Sequence, residues 1–309
     1  MTTGHTLGAP VARGWPQTAL IGGRLWLWGG IAYAAQAYLA DGGLLDFTTR
    51  TWTSLSITGA PQARALGAAV STGDRVIVWG GETCDGPLGS GCLTSSGAVW
   101  DRATDTWTAT SAVGAPSPRV NPAAVWTGSE MIVWGGANAH ALADGAIYDP
   151  ASDTWRPMSA VGAPSPRYAP IAIWTGSKMV VWGGSVMLYD HRHDGALYDP
   201  ATDSWAPMPT ETAALTGDAD APPYVWTGSK LVVFKYAVDS GPLAAAVYDP
   251  ATNQFTAATA QGAPTGSQKA QIVVMGAAWD GQRVLLWNNV WAPPPGPASL
   301  EVWAYELPP

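Results

Sequence analysis

The residues that could do chemistry are few, and most of them lie in loops. Three of the four histidines, His140, His191 and His193, fall in neighbouring loops, with Asp190 and Asp194 beside the last two. Imidazole and carboxylate together could hold a metal ion or move a proton. The candidate acid–base groups are therefore His140, His191, His193, Glu82 and Asp190, and His140, His191 and His193 are the only candidate metal ligands. Alternate residues of an extended segment face opposite ways, so His191 and His193 need not converge. Arg13, Arg64, Arg119 and Arg167 recur at similar spacing. A guanidinium fork suits a carboxylate or phosphate, but recurrence equally suits donors that bind loop carbonyls inside a scaffold. Cys84 and Cys92 share one Gly-rich segment. A loop-clipping disulfide and two free thiols are both open. A metal pair is disfavoured, because zinc takes four ligands at tighter spacing.

These groups must be held by short strands. In 309 residues there are 36 Gly, 26 Pro and 18 Trp against 3 Phe, and only 12% of residues are charged. Many tight turns and one repeated Trp-bearing motif would produce that composition. A VWGG-like aromatic falls at Trp28, Trp79, Trp134, Trp182, Phe234 and Trp287, and a later one at Trp52, Trp107, Trp155, Trp205 and Phe255. Each repeat reads as four strands, which we call a to d. Strand a leads to a Thr-Gly-Ser turn, and strand b is apolar at every position, as in Met179 to Trp182, so it is buried on both faces. Strand c ends in Tyr-Asp-Pro, whose Asp and Pro preset a turn. Strand d carries the later aromatic. No stretch has long helical periodicity.

An Arg before strand a, a diglycine closing strand b, a Tyr-Asp turn and a Trp in strand d together resemble the kelch repeat, in particular a bacterial subgroup with the same WTGS and YDPATDTW elements. The resemblance spans nearly the whole chain. It implies an all-β, six-bladed kelch-type β-propeller with four-stranded blades around a central channel. The blades fall at about 12–57, 63–112, 118–160, 166–210, 220–259 and 269–306 in one domain, 1–309. The last repeat lacks a strand d, and residues 1–7 align with one, so the N-terminal strand is expected to close the sixth blade. Blade five has Lys235-Tyr236, and blade six Asn288-Asn289, where the diglycine belongs.

In this fold the b–c and d–a loops share one face, and loops on a rigid scaffold are where binding residues concentrate. The resemblance implies that Arg13, Arg64, Arg119 and Arg167 can point to the channel mouth. Residues opening strand a, namely Trp15, Leu66, Asn121, Tyr168, Tyr224 and Gln271, would line the channel. The b–c loops add Tyr33, Tyr189, Tyr236, Asn288 and Trp291. Positions where the subgroup carries a His are small or apolar here, Ala123 and Ile171 among them. The expectation is a recognition propeller for a small molecule, glycan or peptide. The alternatives are a cyclase, lyase or isomerase using the same mouth, and a purely structural surface protein. No cofactor is expected. The galactose oxidase chemistry of a related architecture needs a Tyr–Cys crosslink that Cys84 and Cys92, in an outer loop, do not provide.

The net charge of −8 argues against nucleic acid and anionic membranes as partners. No apolar run reaches the roughly 18 residues of a membrane span, and the first ten residues do not read as a signal peptide. A monomer is expected. Secretion or a periplasmic location follows only if the cysteines are bridged, and a cytoplasmic one otherwise.

Overall fold

The computed structural model describes residues 8–32, 34–83, 92–186, 190–210, 222–234, 237–238, 244–259, 272–279, 284–290 and 299–305. All regular structure among them is β. The fold is a β-propeller of four-stranded antiparallel blades, and the chain divides into two compact units, Met1–Ala160 with Ser165–Ala169, and Val161–Pro164 with Pro170–Pro309.

The first unit holds blades one to three. Their strands a are Gln17–Ile21, Ala68–Ser71 and Ala123–Trp126, and their strands b are Arg24–Trp28, Arg75–Trp79 and Met131–Trp134. Strands c are Gly42–Asp46, Gly97–Asp101 and Gly145–Asp149, and strands d are Thr51–Ser54, Thr106–Ala109 and Thr154–Pro157. Each sheet runs a-b-c-d, so strand a forms one edge. The b–c loop of blade one adds a small ribbon, Ile31–Ala32 paired with Ala37–Tyr38. The second unit repeats the order in blade four (Ile171–Trp174, Met179–Trp182, Gly195–Asp199, Ser204–Pro207) and blade five (Tyr224–Trp226, Leu231–Phe234, Ala244–Asp249, Gln254–Thr259).

The sixth sheet differs. Ile272–Trp279, Val284–Val290 and Ser299–Tyr305 serve as a, b and c, and the fourth strand is Ala237–Val238, from the b–c loop of blade five, paired to strand a. The expected closing strand, residues 1–7, lies outside the described residues. Gly8 is described. It sits against the carbonyl of Trp52 as Gly59 does against that of Trp107 and Gly114 against that of Trp155.

The repeated aromatics explain the packing between blades. The strand-b Trp of one blade meets the strand-d aromatic of the next: Trp28 with Trp107 at 5.1 Å, Trp79 with Trp155 at 5.5 Å, and Trp182 with Phe255 at 5.8 Å between ring centres. Such tilted pairs add to simple area burial. Strand b is buried throughout in blades three, four and five, as its unbroken apolar run requires. Strand a instead alternates, Ile171 and Ile173 inside and Ala172 and Trp174 half-buried.

The c–d turn also holds blades together. Asp105, Asp153, Asp203 and Asn253 take the left-handed conformation at its tip, where Asp and Asn are tolerated best. Asp105 accepts from Ser56 N on the tail of blade one and from Trp100 Nε1 in its own blade. Asp153 accepts from Ser111 N at 2.7 Å and from Tyr148 Oη at 2.8 Å. Trp107 and Trp155 donate their indole N–H to Ser56 O and Ser111 O. Blades two and three thus each grip the segment that leaves the blade before. Blade one has Arg50 at this position, also left-handed.

Candidate functional site

The recurring arginines belong to the scaffold. Arg64, Arg119 and Arg167 are buried side chains with at most 1% of their surface exposed. Arg64 donates to Gly80 O, Ser96 O and Ser96 Oγ. Arg119 donates to Gly135 O and grips Asp144 with both branches of its fork. Arg13 donates from Nη1 alone to Gly29 O and Asp41 Oδ1. The donors of Arg13, Arg64 and Arg119 tie the start of strand a to the diglycine and to the end of the b–c loop. Burial pushes the Arg64 guanidinium down to about 10, which leaves it charged at neutral pH. The implied grip on an anionic ligand is thus met by internal partners. Sequence reasoning overlooked Asp41 and Asp144. The signal was an Asp directly before the Gly that opens strand c, present also at Asp194-Gly195 and replaced by Ser96-Gly97 in blade two.

Two residues after each arginine the backbone turns left-handed, at Trp15, Leu66, Asn121 and Ala169, with φ of 48° to 61°. These four residues are joined in series. Leu66 N donates to Trp15 O, Asn121 N to Leu66 O at 2.8 Å, and Ala169 N to Asn121 O at 2.9 Å. The blade-four counterpart of Trp15, Leu66 and Asn121 is therefore Ala169. Tyr168, placed in that row from sequence, stands one residue earlier, level with Gly14, Ala65 and Val120, the residues that bridge to Ile31, Glu82 and Ala137 at the root of the b–c loops. In a segment whose side chains alternate, one residue of slip changes the facing.

Trp15 stands out in the row, with 55% of its surface exposed. Two residues on, Gln17 is 2% exposed and neither its Nε2 nor its Oε1 has a hydrogen-bond partner. A Cβ at Gly67 would collide with Gln17 Nε2, so the amide occupies space that Gly67 leaves open. Gln17 was also missed, although it is the polar exception at a position filled by Ala68, Ala123 and Ile171 in blades two to four.

His191 and His193 have different partners. His191 Nδ1 lies 3.0 Å from the Oγ of the fully buried Ser185, while His193 packs edge-on against Trp182. Asp190 pairs with Arg192 at 3.2 Å. His140 is exposed at the tip of the blade-three loop, its backbone N–H bonded to Asn138 Oδ1. Among the described residues no three His, Cys, Asp or Glu side chains form a group that could hold a metal ion. Glu82 is buried, its backbone bridged to Ala65 and Leu93. Cys92 is disulfide-bonded, and the sequence holds one other cysteine, Cys84. Tyr224 is 40% exposed at the start of strand a in blade five. Tyr33, Tyr189, Tyr236, Gln271 and Trp291 lie outside the described residues. The backbone of Asn288 is described, in strand b of blade six opposite Val274 and Glu301, and its side chain is not.

Serial blades of this order, with buried arginines closing the loop roots of the first three, define a repeat propeller. The family model described as the KLHDC2/KLHL20/DRC7 Kelch-repeats domain matches residues 67–279, well over half of the chain, and the protein belongs to that Kelch-repeat family. No curated protein matches the chain. Among the described residues no helix is long and apolar enough to cross a membrane.

Proposed function

We propose that this Kelch propeller is a non-catalytic recognition module that takes a peptide segment on the face bearing the b–c loops, with Trp15 as the anchor. The exposed indole of Trp15 carries the reading. Trp is the residue type that most often dominates a binding interface. The loop roots around it are fixed by buried arginine forks, so the surface is held in place before a ligand arrives, which lowers the entropy cost of binding. The half-buried amide of Asn121 in the same row can both donate to and accept from a peptide backbone.

The catalytic alternative rests on the Ser185–His191 pair. It is less well supported, because a serine with no exposed surface cannot reach a substrate. The test is selection of a displayed peptide library against the whole chain, followed by fluorescence anisotropy of the enriched peptides. Trp15→Ala should weaken them at least tenfold, and Leu20→Ala, exposed at the far end of the same strand, should leave them unchanged. An absence of enriched peptides, or equal binding by Trp15→Ala and the parent, overturns the reading.

A further inference from the structure

Blades two and three leave a cleft between them on the opposite face, where the a–b and c–d turns lie. Two adjoining cavities of about 480 and 290 Å³ share Arg75, Val99 and Pro150. The larger falls within the roughly 300–1,000 Å³ usual for small-molecule sites. After the Asp that ends strand c, blade two has Arg102, whose guanidinium lies over Gly22 of blade one. Blade three has Pro150 there, as blades four and five have Pro200 and Pro250, and Pro150 lines both cavities.

The lining has a definite chemistry. Thr72 and Ser129 contribute hydroxyls to the larger cavity, and Thr104, Thr106 and Thr108 to the smaller. Trp126, half-buried on strand a of blade three, supplies an aromatic wall. Arg75 donates from Nε to Asp101 at 3.0 Å and remains about half exposed. Asp74 and Asp153 bring the carboxylates to three against one guanidinium, so an anionic ligand is disfavoured.

We propose that this inter-blade cleft is a binding site for a neutral saccharide. Such a ligand offers many hydroxyls that donate to carboxylates and exchange bonds with threonines, and a C–H face that packs on an indole. The site is separate from the peptide surface around Trp15 and does not depend on it.

The test is saturation-transfer NMR on the whole chain with maltotriose, cellotriose and mannotriose at millimolar concentration. At least one should receive saturation from the parent protein. Pro150→Arg, which copies the residue of blade two, should abolish that transfer, and Trp126→Leu should weaken it at least tenfold, with circular dichroism checking that both variants are folded. No transfer to any of the three sugars from the parent protein overturns the proposal. So does transfer that survives in folded Pro150→Arg, and so does transfer lost in Trp15→Ala but not in Pro150→Arg.

Discussion

Single side chains carry the joints between blades. Asp105 holds Ser56 N with both oxygens and the indole N–H of Trp100 with one of them. Hydrogen bonds to a charged acceptor contribute about 1.5–3 kcal/mol each. Asp105→Ala should therefore lower unfolding stability by about 2–3 kcal/mol in denaturant titration. Asp105→Asn keeps an acceptor and the left-handed preference, so it should lose less than half of that. The sequence motif was plain at this point, but its role was not. No role for Asp105 or Asp153 could be read locally, because the partner of each lies in the previous repeat, 49 and 42 positions back. The same holds for Asp41 and Asp144, whose arginine partners are 28 and 25 residues away.

At the scale of the strand, the continuous apolar run of strand b was legible, since it follows from which faces are covered, whereas the all-apolar Ile171–Trp174 gave no sign that strand a alternates. Ile132, with no exposed surface, should cost about 2–4 kcal/mol on replacement by Ala. Leu20, 65% exposed, should cost less than about 0.5 kcal/mol in the same assay. What strand patterns could not convey was register where the pattern breaks. Tyr168 looked equivalent to Asn121 because both precede a strand of the same type, yet the backbone bond from Ala169 N to Asn121 O makes Ala169, two residues after Arg167, the counterpart. Nor could periodicity show that the fourth strand of the sixth sheet, among the described residues, is Ala237–Val238, a short segment from the loop of another repeat.

Across the molecule, the c–d turns and their aromatics set how stability responds to pH. Asp46 and Asp101 are held below the ordinary aspartate value chiefly by turn N–H groups, and Asp149 chiefly by the Ser152 hydroxyl. A depressed folded-state value means stability that is fully present above the ordinary value near 3.8 and is lost as pH falls below it. The melting temperature should be level from pH 7 to about 5 and fall below about pH 4, and Asn at all three positions should flatten that fall in scanning calorimetry. Burial raises Tyr148 and Tyr248, the latter to about 12. A raised value means stability present below the free-tyrosine value of 10 and lost as pH climbs through the folded one. Absorbance at about 295 nm should therefore show tyrosines that ionise only as the protein unfolds in alkali. The all-β class and the repeat were readable in the chain because every repeat restates them. The exposed indole of Trp15 and the open cleft lined by Pro150 were not, because each depends on how neighbouring repeats meet in space. The grip of blades two and three on the blade before runs in a single direction, with the clasp in the later repeat and the handle in the earlier. A segment duplicated from one tail to the next would bring its own clasp and offer its own handle, so the array can be lengthened by whole modules with no new joint to invent, whereas a graft cut between strands c and d would split the clasp from the strand it steadies.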